Sequence, residues 1–386
     1  LLLLSIVSGT VGTGNSYSNF NLTFFWIVIL LGYTYCTALF GNSYDALNPW
    51  RAIADFIELY APKAFAGRRA YPPWLGYTPA LLLYMALVWM ELFGETTPRS
   101  LSLMLIVYGG ISLIGAWWWG SAAWFQYGDL FGVFFRVIGK IAPLEWSGKG
   151  VRLRQPFIGL LDEPCTHLSL VLFILFMLSS TAFDGLHETE LWVRFSHDVT
   201  DLIAPLVGVD SIGTMPVVAL VYRGFQALAL LASPLLYLGV YLALLWLAQR
   251  LTRSRIPLRA LALELAYSLV PIAFVYNLTH YFTLALSQGP KILRLLSDPF
   301  GYGWNLFGTR DWLSAPILID IGTIWHIQVA LILVGHIVSV YLSHLVALRL
   351  FGSGRAAVIS QFPLLLLMVL YTTSGLWILS LPIQAG

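Results

Sequence analysis

Charge is what this sequence has least of. Only 10% of its 386 residues are Asp, Glu, Lys or Arg, while 58% are hydrophobic and the mean hydropathy is +0.78. A water-soluble surface cannot be built from so little charge, so a soluble globular class is excluded and a multi-pass membrane protein is expected. The formal net charge of +2 comes without any long basic tract, which excludes a groove for nucleic acid. Cysteine is almost missing: Cys36 and Cys165 belong to no CxxC pair, so there is neither a disulfide framework nor a zinc knuckle. No internal repeat, low-complexity tract or linker divides the chain, and one polytopic membrane domain over 1–386 is expected. The opening "LLLLSIVSG" has no initiator methionine and reads as starting part-way along a helix, a partial ninth span.

What the sequence does have is long apolar runs. Eight complete ones follow the opening fragment, near Thr23 to Phe40, Tyr77 to Phe93, Leu101 to Trp119, His167 to Phe183, Pro216 to Ala248, Pro257 to Leu286, Pro316 to Leu348 and Gln361 to Leu381. The fold class is thus an all-α integral membrane protein of about eight transmembrane helices. Of the 21 basic residues, 15 fall after the first, third, fifth and seventh runs, which makes those segments cytoplasmic and sends the C-terminus outward. "DALNPWRAIADFIELY" and "AAWFQYGDLFGVFFRVIGK" mix aromatic residues with sparse charge on the basic side and read as interfacial amphipathic helices. Trp117, Trp118 and Trp119 suit an aromatic belt at the headgroups. Residues 287–315 form an outward loop rich in Gly and aromatic residues, either a lid over a polar cluster or an interfacial anchor.

Ionisable groups inside such runs are costly and point to sites. The seventh run carries His326, His336 and His344, which helix geometry spaces by roughly 15 and 12 Å along the axis, too far for one metal to bind two of them. They therefore sit at three depths, with His336 the deepest. Around the outer level, Asp184, His187, Glu188, Arg223, Asn277, His280, Asp320 and His326 are placed to converge. His280, His326 and Asp320 form a donor set suited to zinc or another divalent metal, whose bound water is a nucleophile near neutral pH. Asp184, Glu188 and Arg223 are the candidate catalytic groups, the arginine steadying an anionic phosphoryl or carboxyl oxygen. No HExxH or other compact ligand pair supports this set. The same residues also suit solvated helix ends, hydrogen-bonded helix ties and a snorkelling arginine. His280 and His326 would also suit the two axial positions of a haem, but nothing else in the sequence requires one.

"NPWRAIADF" (Asn48 to Phe56), "FDG" (Phe183 to Gly185), "NLTHY" (Asn277 to Tyr281), "SDPFGYGWNLFGT" (Ser297 to Thr309), "VGH" (Val334 to His336) and "SQFPLLLLMVLYTTSGLW" (Ser360 to Trp377) resemble bacterial multi-pass membrane proteins of the fenitrothion hydrolase family. The resemblance runs from about Tyr44 to Ile383 and is most specific in the "SDPFGYGWNLFGT" loop. It implies a bacterial inner-membrane enzyme that hydrolyses a small lipophilic organophosphorus triester; it assigns no catalytic residue. Two other readings stay open: a non-catalytic subunit of a larger membrane complex, and a transporter, for which Pro234 and Pro271 interrupt spans without a matching half.

Overall fold

Lipid offers no water to the peptide groups, so a chain this apolar must satisfy them within itself, and helices do so segment by segment. The computed structural model describes residues 1–147, 150–203, 205, 215–312, 320–352 and 354–380. In chain order it has helices α1 (Leu2–Val11), α2 (Phe20–Phe40), α3 (Pro49–Tyr60), α4 (Thr78–Phe93), α5 (Pro98–Trp119) and α6 (Leu130–Gly139). A small antiparallel hairpin follows, β1 (Leu144–Ser147) with β2 (Gly150–Leu153), pairing Leu144 with Leu153. The longer helices that follow are α7 (Leu168–His187), α8 (Glu190–Ile203), α9 (Met215–Thr252), α10 (Leu258–His280), α11 (Ile321–Phe351) and α12 (Gly354–Ser380).

Among the described residues, seven of these helices, α2, α5, α7, α9, α10, α11 and α12, are long and apolar enough to cross a bilayer. The chain is a polytopic, predominantly helical membrane protein. Two expected spans differ in form. Tyr77 to Phe93 yields only the 16 residues of α4, about 24 Å of helix against a hydrocarbon core of about 30 Å. Pro257 to Leu286 is not one helix: α10 stops at His280, and a separate seven-residue helix covers Phe282–Gln288. Within α10, Pro271 has no N–H to offer one turn back, and the chain tightens to a 3-10 stretch over Ala266–Leu269. The Ser268 hydroxyl donates to the Leu265 carbonyl there at 2.6 Å.

The chain divides into two compact units, each assembled from separated segments: 1–84, 95–163 and 281–328 in the first, 85–94, 164–280 and 329–386 in the second. In the first unit α3 is amphipathic. Asn48 caps it, accepting from the N–H groups of Trp50 and Arg51 at 3.0 and 3.2 Å; Trp50 and Ala54 are buried while Phe56, Leu59 and Tyr60 are exposed. That arrangement suits a helix lying at an interface. The second expected interfacial segment differs: Leu130, Phe131, Val133, Phe135, Val137 and Ile138 of α6 are all buried within the first unit. At the belt, Arg68 lies over the Trp117 ring at 5.1 Å and Arg69 over Trp118 at 5.5 Å.

In the second unit α7 is central, buried over 78% of its most apolar window, and packs on α9, α10 and α12. Glu264 of α10 pairs with Arg349 of α11 at 2.8 Å. The tightest approach is at Gly375 of α12, where the Tyr276 hydroxyl passes through the position a Cβ would occupy on its way to the Tyr371 carbonyl, 2.7 Å away. Gly375→Ala is therefore expected to force Tyr276 aside and lose that hydrogen bond, costing about 2–4 kcal/mol, read as a lower midpoint of thermal unfolding in detergent micelles. An unchanged midpoint would mean that the helices slide apart freely.

Candidate functional site

α7 and α10 run side by side in the second unit, and their C-terminal ends bring Asp184 and His280 together. His280 Nε2 stands 2.7 Å from Asp184 Oδ2. His187, one turn beyond Asp184, places Nδ1 at 2.6 Å from the Asp184 carbonyl oxygen and 3.7 Å from its Oδ1. Asp184 is 8% exposed, so the carboxylate is buried and needs these partners. Both histidines occupy the last turn of their helices. Glu91 and Glu188 are the next carboxylates to act on His280.

With Nε2 directed at the carboxylate, the other edge of the His280 ring faces Gly185. A methyl group on Gly185 would stand 3.9 Å from His280 Nδ1 and 3.0 Å from Ile378 Cγ2. The glycine keeps a notch beside the imidazole. Aromatic rings adjoin Asp184 on the Phe183 side: Phe183 stacks on His187 with centroids 5.9 Å apart, Phe93 meets His187 edge-on at 6.2 Å, and Trp192 of α8 meets Phe183 at 5.2 Å. Trp192 stacks in turn on Phe225 of α9 at 5.9 Å. An Asp–His pair with an apolar aromatic border can move a proton next to a lipophilic group.

The other candidate residues lie as follows. Glu188 ends α7 and is exposed, as is Arg223 on α9. Asp320 and His326 belong to the first unit. Asp320 is exposed and caps α11, its Oδ2 accepting from the Thr323 N–H at 3.0 Å; His326 is exposed, with Nδ1 2.6 Å from the Gly322 carbonyl oxygen. Among the described residues no group of three or more His, Cys, Asp or Glu side chains is placed to hold a metal ion. Zinc asks for three protein donors with lone pairs turned to one point, and the Asp184 group turns its polar atoms on one another instead. His336 is 6% exposed, its Nδ1 is 2.7 Å from the Ile332 carbonyl oxygen and its ring centroid is 6.3 Å from that of Tyr276. His336 Nε2 and the carboxamide oxygen of Asn277 are buried without a hydrogen-bond partner among the described residues.

The "SDPFGYGWNLFGT" loop is a folded part of the first unit. Ser297 is fully buried, its Oγ 2.7 Å from Thr309 Oγ1 and accepting from the N–H of Phe307 at 3.1 Å. Tyr302, Trp304, Leu306 and Phe307 are exposed along it, and residues 313–315 of the expected loop lie outside the described residues.

One polar cluster has no forerunner in the sequence reading. Asp129, fully buried at the start of α6, accepts from the Tyr108 hydroxyl, from Asn48 Nδ2 at 2.9 Å and from the Gly132 N–H at 2.9 Å. Burial pushes its carboxyl up to about 6, against the opposing pull of those hydrogen bonds and of Arg136. The signal available in sequence was a lone acid immediately before an apolar run, the pattern of a helix cap.

No family model, curated protein or solved structure matches the chain.

Proposed function

We propose that this protein is a membrane hydrolase that cleaves lipophilic esters or phosphotriesters beside the Asp184–His280 pair, at the outer face of a bacterial inner membrane that it spans about eight times, with its C-terminus outward. The 2.7 Å contact between His280 and a buried carboxylate is the observation that carries the reading. A carboxylate in that position orients the imidazole and balances the charge it acquires. His280 takes a proton from water as the water oxygen adds to the phosphorus or carbonyl carbon. The bond to the leaving oxygen then breaks, the electron pair departs with that oxygen, and the imidazolium returns the proton to it. The aromatic border supports a lipophilic substrate, and the resemblance to the fenitrothion hydrolase family supports hydrolysis.

The test is turnover of a chromogenic aryl dialkyl phosphotriester by the purified protein in proteoliposomes. Activity that persists with a chelator is expected for the Asp–His pair. Activity lost on chelation and restored by zinc would assign the water instead to a bound metal. No turnover under either condition would sink the hydrolase and leave a complex subunit or a transporter. Gly185→Ala is expected to reduce kcat about 10- to 100-fold by filling the notch, with Ile378, 3.0 Å from the new methyl, shifting to admit it. Unaltered turnover in that variant would place the reacting group elsewhere.

A further inference from the structure

α8 carries two buried polar groups with no partner among the described residues, the indole Nε1 of Trp192 and the hydroxyl of Ser196. They are four residues apart, so they lie one above the other on one face of the helix. Ser196 is completely buried. An indole N–H only donates, so its missing partner is an acceptor; a serine hydroxyl can donate to the same kind of atom. Leaving either buried without a partner is strongly unfavourable.

Their surroundings indicate what kind of acceptor belongs there. Trp192 lies between Phe183 and Phe225, and Phe195 packs on both Trp192 and Phe225, with centroids 5.7 and 6.0 Å away. Phe183 immediately precedes Asp184 and stacks on His187, so one ring separates the Trp192 indole from the His187 ring. The cation of this helix, Arg194, is 75% exposed and paired with Glu190. The Trp192 donor thus sits among aromatic rings, with Ser196 one turn further along the same face, a setting that favours an uncharged oxygen on an apolar molecule.

We propose that Trp192 Nε1 and Ser196 Oγ form a subsite for the neutral phosphoryl or carbonyl oxygen of an aryl-bearing lipophilic ligand, with the aryl group resting among Phe183, Phe195 and Phe225. As a substrate subsite it rests on the hydrolase reading; as a binding site it does not.

The experiment uses a ligand that cannot be hydrolysed. Triphenylphosphine oxide and the oxygen-free triphenylmethane are titrated calorimetrically into the full-length protein in micelles, with empty micelles as reference. The oxide is expected to bind about 10-fold more tightly, and Trp192→Phe and Ser196→Ala each to weaken it about 3- to 10-fold while leaving triphenylmethane unchanged. Equal binding of the two ligands, or variants that leave their ratio intact, would overturn the subsite and leave water as the partner of both donors. Oxide binding without phosphotriester turnover would sink the hydrolase and keep the subsite. Turnover without selective oxide binding would do the reverse.

Discussion

His280→Ala is expected to lower kcat for an aryl phosphotriester by about 10²- to 10⁴-fold, the usual contribution of a positioned general base. The ring is largely enclosed, and its Nε2 is the partner of a buried carboxylate, so the alanine variant removes a base and also leaves Asp184 short of a donor. Some loss of stability is therefore expected alongside the loss of rate, and Asp184→Asn separates the two. The carboxamide keeps the shape of the acid and an oxygen for His280, so the fold survives, while the charge that balances the imidazolium is gone. A thermal midpoint close to that of the parent, together with a kcat reduced by a similar factor, would tie the effect to proton transfer. Full activity in Asp184→Asn would show that the pair is a helix tie and nothing more.

The second large effect is on stability and comes from Asp129. Its carboxyl titrates near 6 in the folded protein because burial outweighs three hydrogen bonds, whereas an unfolded aspartate titrates near 4. The folded state thus binds the proton more tightly than the unfolded state. The resulting stability is fully present below about pH 4 and is lost as pH rises through 6, a change of about 3 kcal/mol. Thermal unfolding followed from pH 4 to 7 should show this fall, superimposed on the other titrations. Asp129→Asn should flatten it, since its oxygen can face Asn48 and Gly132 while its amide donates to the Tyr108 oxygen. Asp129→Leu strands the Tyr108 hydroxyl, one Asn48 amide hydrogen and the Gly132 N–H, and is expected to cost about 3–5 kcal/mol. A pH profile identical in the parent and in Asp129→Asn would remove Asp129 as its origin.

Much of this protein is decided by composition. Apolar runs of some 20 residues form helices because lipid leaves the backbone no other partner, and seven of the eight expected runs yield helices of crossing length. The eighth, α4, shows the limit of counting apolar residues: the helix itself is only 16 residues long. Pro271 was visible as an interruption, but its consequence, a tightened stretch before it and an end at His280, depends on how the neighbouring helices pack. Both units are built from separated segments, so no linker composition marks where one gives way to the other.

For the site, the sequence alone determined which residue types sit near helix ends, since the spacing of ionisable groups along an apolar helix is a measure of depth. It therefore singled out Asp184, His187, Glu188, Arg223, Asn277, His280, Asp320 and His326 together. Choosing among them required the lateral arrangement of helices, which periodicity does not carry. Tertiary structure brings Asp184 to His280 and leaves Glu188 and Arg223 exposed. It also assembles the Asp129 knot from Asn48, Tyr108 and Gly132, residues up to 84 positions apart, whose attraction exists only once burial has made an unpartnered carboxylate expensive.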